Sequence, residues 1–123
     1  MRQKLLGRFG ERMADAYLRR HQYQILAANF QTRAGEIDLI ARDPDGQLVF
    51  FEIKTREGDD HGLGEEAIQE SKTRKMRCAA LAYLSSHGSE EDAENYRFDA
   101  LVLTLNSFQK NMAIRHCKAI GSS

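Results

Sequence analysis

An acidic pair and a lysine stand close together in the first half of the chain. Asp38 lies in the segment Glu36-Ile37-Asp38-Leu39, and Glu52 and Lys54 flank Ile53 further on. Carboxylate oxygens are ligands that Mg²⁺ and Mn²⁺ prefer, and a nearby ammonium group can stabilise charge on a phosphoryl oxygen. These residue types suit metal-dependent hydrolysis of a phosphodiester, with Asp38 and Glu52 as metal ligands and Lys54 as the cation beside them.

The segments that carry these residues have the pattern of a β-hairpin. Gly35 to Arg42 alternates between apolar and polar residues, and Gln47 to Thr55 is rich in β-branched and aromatic residues. Between them stands Asp43-Pro44-Asp45-Gly46, a string of turn-forming residues. Two such runs around a short turn predict a pair of antiparallel strands.

Burial of one apolar face would fix the register of this hairpin, because a slip of one residue turns every side chain over. The apolar sets that must share a face are Ile37, Leu39, Ala41, Val49, Phe51 and Ile53. The register that pairs Ile37 with Ile53, Leu39 with Phe51 and Ala41 with Val49 also places Asp38 opposite Glu52, and Glu36 opposite Lys54. Directly opposed Cβ atoms are about 4.5–5.5 Å apart, so two carboxylates there would repel each other unless a cation joined them.

Each of these residues also has an ordinary explanation. A Glu-x-Lys pattern on a strand usually faces solvent, and Asp38 could pair with Arg42 or Lys54 in a surface network. Glu36 is assigned first to a cross-strand salt bridge with Lys54, with support of the metal ligands as the alternative. The catalytic interpretation therefore depends on the joint arrangement and not on any single residue.

The remaining elements predict an α/β fold with a central mixed sheet flanked by helices. The expected helices are Gln3 to His21 and Glu65 to Ser86, and the further strands are Gln24 to Gln31, Phe98 to Leu105 and Met112 to Lys118. The first helix should be buried along Leu5, Leu6, Phe9, Met13, Ala16 and Tyr17, and the second along Ile68, Met76, Ala79, Ala80 and Tyr83. Arg56 to Gly64 and Ser89 to Asn95 are expected to be a loop and a solvated connection.

Composition sets limits on the class of protein. The chain has 123 residues, which predicts one domain, and its formal net charge is zero, which argues mildly against bulk electrostatic coating of nucleic acid. Charges interrupt every apolar run, so we expect no membrane span or signal peptide and a cytoplasmic location. The two cysteines are expected to be reduced, and the four histidines, which lack the spacing of zinc ligands, to be surface or loop residues.

A basic segment in the second helix offers candidate contacts for nucleic acid. Glu70 and Arg74 form an ordinary i, i+4 pair that stabilises a helix. In the functional interpretation, Lys72, Lys75 and Arg56 contact phosphates near the metal. Phosphate contacts fix position without reading bases, so such a protein would respond to the shape of a nucleic acid and not to its sequence.

A longer string of residues resembles a known family. Asp38 followed by Glu52-Ile53-Lys54 is similar to the Asp…(Asp/Glu)-x-Lys signature of restriction-endonuclease-like nucleases, although the proline often found before the aspartate is Ile37 here. The wider string resembles the bacterial YraN-like family, which is distantly similar to archaeal Holliday-junction resolvases. It consists of Gly7-x-x-Gly10-Glu11, Asn29-Phe30, Gly35-Glu36-Ile37-Asp38-Leu39-Ile40, Phe51-Glu52-Ile53-Lys54-Thr55-Arg56 and Arg97-Phe98-Asp99.

The resemblance implies more than the residues alone do. It implies a restriction-endonuclease-like domain, Glu11 as a third metal ligand beside Asp38 and Glu52, and Mg²⁺ or Mn²⁺ as the metal. The implied substrate is DNA, with branched or repair-associated DNA as the narrower expectation, and a symmetric branched substrate would favour a homodimer. Two other classes stay open: a catalytically inactive nucleic-acid-binding or adaptor module on the same fold, and a domain that binds only proteins.

Overall fold

The chain forms a five-stranded mixed sheet with helices on both faces. The computed structural model describes the main chain of residues 2–57, 70–106 and 111–120, and the side chains of residues 7–57, 74–106 and 111–120. In sequence, the elements are α1 (Arg2–Arg20), β1 (Gln24–Gln31), β2 (Glu36–Arg42), β3 (Leu48–Glu57), α2 (Glu70–His87), α3 (Glu90–Asn95), β4 (Arg97–Asn106) and β5 (Asn111–Cys117). The strand order is β1-β2-β3-β4-β5, and this confirms the predicted fold class.

The predicted hairpin register is confirmed over the half of the hairpin next to its turn. β2 and β3 pair antiparallel, with Leu39 opposite Phe51 and Ala41 opposite Val49. Asp43 closes the turn, because its side chain accepts hydrogen bonds from the main-chain N–H groups of Asp45 and Gln47, each at 2.9 Å. β3 then pairs with β4 in parallel, and the other neighbouring strands pair antiparallel, which makes the sheet mixed.

The sheet is buried on both faces. On the face covered by α1 (the α1 face), the buried residues of the sheet are Leu39, Ala41, Val49, Phe51, Leu101 and Leu103. On the face covered by α2 (the α2 face), they are Ile37, Ile40, Leu48, Phe50 and Phe98. Burial of both faces explains why β3 begins as a nearly continuous apolar run, since neither set of alternate side chains contacts water there.

Helix α1 packs closely on β3 where Gly10 crosses the strand. Gly10, Ala14 and Leu18 are buried, whereas Phe9 is 37% exposed. A Cβ atom at Gly10 would lie 2.0 Å from Oγ1 of Thr55, so this crossing has no room for a side chain. The predicted stripe was therefore wrong for Phe9 and for Ala16, which is also exposed. Met13 and Tyr17 are half-buried and pack at the edge of the contact between α1 and the sheet.

Helix α2 covers the opposite face with the residues that its periodicity predicted. Met76, Ala79, Ala80 and Tyr83 are all buried, while Ile68 lies outside the described residues. The turn between β1 and β2 abuts this helix, because a Cβ atom at Gly35 would lie 2.5 Å from the main-chain oxygen of Lys75.

The connection before β4 contains a helix that the sequence interpretation missed. Ser89 caps α3 through a capping box, in which its hydroxyl accepts a hydrogen bond from the N–H of Asp92 and the Asp92 carboxylate accepts one from the N–H of Ser89. Asp92 is buried and receives two hydrogen bonds from the Arg42 guanidinium, at 2.8 and 3.0 Å. This pair lowers the pKa of Asp92 to about 2 and docks the helix on the sheet. Among the described helices, none is long and apolar enough to cross a membrane.

Candidate active site

Asp38 contacts β3 at the point where β2 and β3 separate. Their ladder ends at Leu39 opposite Phe51, so the predicted pairs of Asp38 with Glu52 and of Glu36 with Lys54 lie beyond it. The main-chain N–H of Ile53 donates a hydrogen bond to Oδ2 of Asp38 at 2.8 Å. The Asp38 carboxylate therefore accepts the hydrogen bond that a main-chain carbonyl of β2 would accept in a regular ladder. The donor, Ile53, is the residue of β3 that separates Glu52 from Lys54.

The alternation of β2 is interrupted at Asp38. Ile37 packs on the α2 face and Leu39 on the α1 face, although side chains two apart in a regular strand share a face. The prediction that Ile37 shares the face of Leu39 was therefore wrong. Asp38 lines a pocket on the α1 face, together with Leu39. Regular alternation would have turned Asp38 to the other face.

Helix α1 brings Glu11 to the same pocket. The pocket has a volume of about 280 Å³ and is lined by Arg8, Glu11, Arg12, Asp15, Ala28, Asp38 and Leu39. The close crossing at Gly10 places the next residue of the helix, Glu11, over β1 and β2. Asn29 of β1 donates a long hydrogen bond from Nδ2 to Oε2 of Glu11, at 3.5 Å. The structure thus brings together Glu11 and Asp38, two residues that are distant in sequence.

Glu52 and Lys54 approach the same stretch of β3 from another direction. Glu52 is 3% exposed and Lys54 is half-buried. Ile53 packs toward the α1 face, so by alternation its two neighbours point to the α2 face. Asp38, Glu52 and Lys54 therefore surround residues 52 to 54 of β3 without sharing one face, unlike the predicted arrangement.

Glu36 occupies a different place from the predicted one. It pairs with Gln31 across β1 and β2, is exposed, and lines a groove with Lys75. Among the ion pairs between described side chains, none joins Glu36 to Lys54. The predicted salt bridge was wrong, because β2 and β3 have already separated at this level.

The residues present suit a hard divalent cation, although they are not gathered as a preformed cage. Within the described part of the chain, no three His, Cys, Asp or Glu side chains converge on one position. Mg²⁺ does not require such a cage, because it keeps several water ligands and binds through one or two carboxylates plus the phosphates of a substrate. Glu11 and Asp38 in one pocket meet that requirement, and Glu52 adjoins the main-chain contact of Asp38.

The predicted phosphate-binding residues differ in their surroundings. Nε of Arg56 donates to Oγ1 of Thr104 at 3.2 Å, and its Nη1 is buried without a hydrogen-bond partner in the part of the chain that the structure describes. Lys75 is exposed and borders a groove that Arg33 also lines, a basic residue that the sequence interpretation overlooked. The side chain of Lys72 lies outside the described residues.

A second polar cluster, centred on Asp99 of β4, was missed by the sequence interpretation. Asp99 is 0% exposed and accepts hydrogen bonds from Nε of Arg97 at 3.0 Å, Nε2 of His116 at 2.8 Å and the N–H of Ala119 at 2.9 Å. Burial alone would raise the pKa of Asp99, but the hydrogen bonds from His116 and Arg97 outweigh it and lower the pKa. The expectation that His116 lies at the surface was wrong.

Arg97 extends this cluster to the hairpin turn. Its Nη1 donates to Oδ2 of Asp43 and to Oε1 of Gln47, each at 2.7 Å, and its Nη2 donates to Oη of Tyr23 at 3.1 Å. Burial would lower the pKa of Arg97, but the carboxylates of Asp99 and Asp43 raise it instead. The cluster joins β4 and Tyr23, which lies between α1 and β1, to the hairpin turn. We therefore assign it a structural role. The available signal was the string Arg97-Phe98-Asp99 at the start of an apolar strand.

Comparison with known sequences identifies the family. A model described as uncharacterised protein family UPF0102 matches residues 10–103. The chain belongs to this family. A UPF0102 protein of Roseiflexus castenholzii is 36% identical over 94% of this chain and 91% of its own, and one of Geobacter sulfurreducens is 42% identical over 85% and 79%. The match confirms the resemblance to the YraN-like family, and Glu11, Asp38, Glu52 and Lys54 all lie within the UPF0102 segment.

Comparison with solved structures gives a more distant likeness. A repair endonuclease from Pyrococcus abyssi is 19% identical to this UPF0102 chain, with a TM-score of 0.36. The aligned region covers 68% of this chain and 30% of that protein, so the chain spans less than a third of the endonuclease.

Proposed function

We propose that this protein is a metal-dependent endonuclease that hydrolyses DNA phosphodiester bonds, built on a restriction-endonuclease-like domain. The observation that carries the proposal is the hydrogen bond from the N–H of Ile53 to the Asp38 carboxylate. It holds one acidic group at the strand residue that separates Glu52 from Lys54. A second acidic group, Glu11, lines the same pocket as Asp38.

Asp38 and Glu11, which line one pocket on the α1 face, would hold Mg²⁺ or Mn²⁺, which when bound polarises a phosphate and lowers the pKa of a coordinated water. Glu52 would be the third ligand, and because alternation points it to the α2 face, its side chain would have to reach the ion where β2 and β3 separate. Lys54, half-buried next to Glu52, would stabilise charge on the phosphoryl oxygens. Glu36, exposed at the start of β2, would support the ligands only indirectly.

The phosphate backbone of the substrate would be held by basic side chains around this stretch of β3. Arg56 is one candidate, because its Nη1 has no hydrogen-bond partner among the described residues and an unsatisfied buried N–H group is costly, but the side chain would have to move to expose this atom to a phosphate. Lys75 and, by sequence, Lys72 would extend the contact along α2. Contacts of this kind read shape and not sequence, which agrees with branched or repair-associated DNA as the substrate. That narrower preference rests on the family resemblance.

One observation favours a second candidate, a nucleic-acid-binding or adaptor module without turnover. Among the described residues, three acidic side chains do not converge on a single position. Such a module would bind DNA through the same basic residues but would need neither Asp38 nor a divalent cation. DNA affinity and cleavage must therefore be measured separately.

The test is a cleavage assay on linear, nicked, flapped and four-way DNA in Mg²⁺ or Mn²⁺. The variants Asp38→Asn, Glu52→Gln and Lys54→Met should be compared with wild type. Asparagine at position 38 keeps an acceptor for the N–H of Ile53, so loss of activity there would not reflect a broken strand contact. We expect no cleavage from the two carboxylate variants and a rate about 100-fold lower for Lys54→Met, the effect of losing one charge-stabilising donor.

The matched control is Asp45→Asn, which changes an exposed carboxylate in the hairpin turn and should cleave as wild type does. Equal cleavage by all variants would refute the assigned site. DNA binding that needs no divalent cation and is unchanged in Asp38→Asn, without cleavage, would establish the binding module instead. In that case Lys75→Ala should reduce the slope of log affinity against log salt concentration by about 1.

A further inference from the structure

Asn29 has an unusual main-chain conformation in the middle of β1. Its φ angle is +53°, in the left-handed region that L-residues other than asparagine, aspartate and glycine rarely adopt. Two other described non-glycine residues, Gln22 and Ala119, have positive φ, but both lie outside the strands. A strand interior imposes no such conformation on its own, so a local feature of the sheet must require it.

The conformation of Asn29 coincides with the change of face at Asp38. Ala28 pairs with Leu39, and Phe30 pairs with Ile37, so Asn29 lies level with Asp38 on the neighbouring strand. Phe30 and Ile37 both pack on the α2 face, whereas Leu39 packs on the α1 face. The side chains therefore change faces at the same level in both strands, between Ala28 and Phe30 in β1 and between Leu39 and Ile37 in β2.

The side chain of Asn29 adds a direct contact to the candidate site. Its Nδ2 donates to Oε2 of Glu11 at 3.5 Å, which is at the upper limit for a hydrogen bond, and both residues are accessible to water. A long, hydrated hydrogen bond contributes little. The main-chain conformation is therefore the larger effect, and the amide contact is the smaller one.

We infer that Asn29 is a positioning residue that turns Asp38 to the α1 face, where Asp38 lines one pocket with Glu11 and accepts a hydrogen bond from the N–H of Ile53. This inference rests on the proposed function, because the ion that Asp38 and Glu11 would share belongs to the proposed site. A residue that cannot adopt a positive φ would restore regular alternation in β1 and β2. Asp38 would then leave the pocket and release the N–H of Ile53.

The test compares Asn29→Gly, Asn29→Val and Asn29→Ala with wild type. Glycine allows the positive φ without the amide, whereas valine, a β-branched residue, disfavours it strongly. Gln24→Val is the matched control, since Gln24 is exposed on the same strand. The first measurement is hydrogen exchange at the amide of Ile53 by NMR, which needs no metal. The second is calorimetric titration with Mn²⁺.

We expect Asn29→Gly and Gln24→Val to protect the Ile53 amide as wild type does, and Asn29→Val to exchange it faster. We also expect Mn²⁺ affinity to fall at least about tenfold in Asn29→Val, the loss typical for residues that orient metal ligands, and to change little in Asn29→Gly. If Asn29→Val does not fold, Asn29→Ala gives the same comparison with a smaller side chain.

The two measurements separate the two hypotheses. An unchanged rate of hydrogen exchange at Ile53 in folded Asn29→Val and Asn29→Ala would overturn the positioning role, whatever the Mn²⁺ affinity of these variants. A wild-type protein that binds no Mn²⁺ would overturn the proposed metal site, and the exchange data would still decide whether Asn29 places Asp38. Equal loss of affinity in Asn29→Gly and Asn29→Val would contradict a role through the main chain.

Discussion

The crossing of α1 over β3 at Gly10 should tolerate no side chain. In Gly10→Ala, the new methyl group would lie 2.0 Å from Oγ1, 3.1 Å from Cβ and 3.3 Å from Cγ2 of Thr55. Rotation of Thr55 about χ1 could move Oγ1 away, but its Cβ would stay 3.1 Å from the new methyl group, so the helix or the strand must also shift. Overpacking of this kind costs about 1–3 kcal/mol of unfolding free energy.

Gly7 on the same helix provides the matched control. A Cβ atom at Gly7 would meet nothing within 4 Å. Gly7→Ala should therefore show only the gain in helix propensity, about 0.5–1 kcal/mol. The difference between the two variants isolates the contact with Thr55, since both gain the same propensity. Urea unfolding followed by circular dichroism would measure it.

A double variant tests the cause directly. Thr55→Ala removes Oγ1 and Cγ2 but leaves Cβ, so Gly10→Ala/Thr55→Ala should recover most of the lost stability, with a coupling energy of about 1 kcal/mol or more. Additive effects of the two substitutions, or equal stability of Gly7→Ala and Gly10→Ala, would refute the close crossing. The position of Glu11 in the candidate site would then lose its structural basis.

Two further predictions concern the buried ion pairs. The pKa of Asp92 is lowered from 3.8 to about 2, so its contribution is present above pH 4 and lost as the pH falls through about 2. Asp92→Asn should therefore be less stable than wild type by about 1–2 kcal/mol at pH 7, after allowance for the partly exposed Arg42, and the gap should close in acid unfolding curves. Asp99→Ala should lower the free energy of unfolding by about 3–5 kcal/mol, because it leaves the Arg97 charge buried with one carboxylate fewer. A loss no larger than that of Asp45→Ala, in the exposed turn, would contradict the structural role of the Asp99 cluster.

Short-range patterns in the sequence predict the class of fold and much of the hairpin. Alternation along β2 and β3 predicted the pairing of Leu39 with Phe51 and Ala41 with Val49, because one-residue slips would expose apolar side chains. The periodicity of α2 likewise predicted its buried residues. The residue types of Asp38, Glu52 and Lys54 predicted a site near β3. These are short-range patterns, and they can be interpreted without knowledge of what packs against them.

The arrangement of the candidate site depends on contacts between segments that are distant in sequence. The change of face at Asp38 follows from the main chain of Asn29 on a neighbouring strand, and the place of Glu11 follows from the crossing at Gly10. The docking of α3 depends in the same way on Arg42, a residue distant along the chain. Such contacts leave no periodic trace in the sequence, because they join segments whose separation along the chain is unrelated to the spacing of residues within a helix or strand.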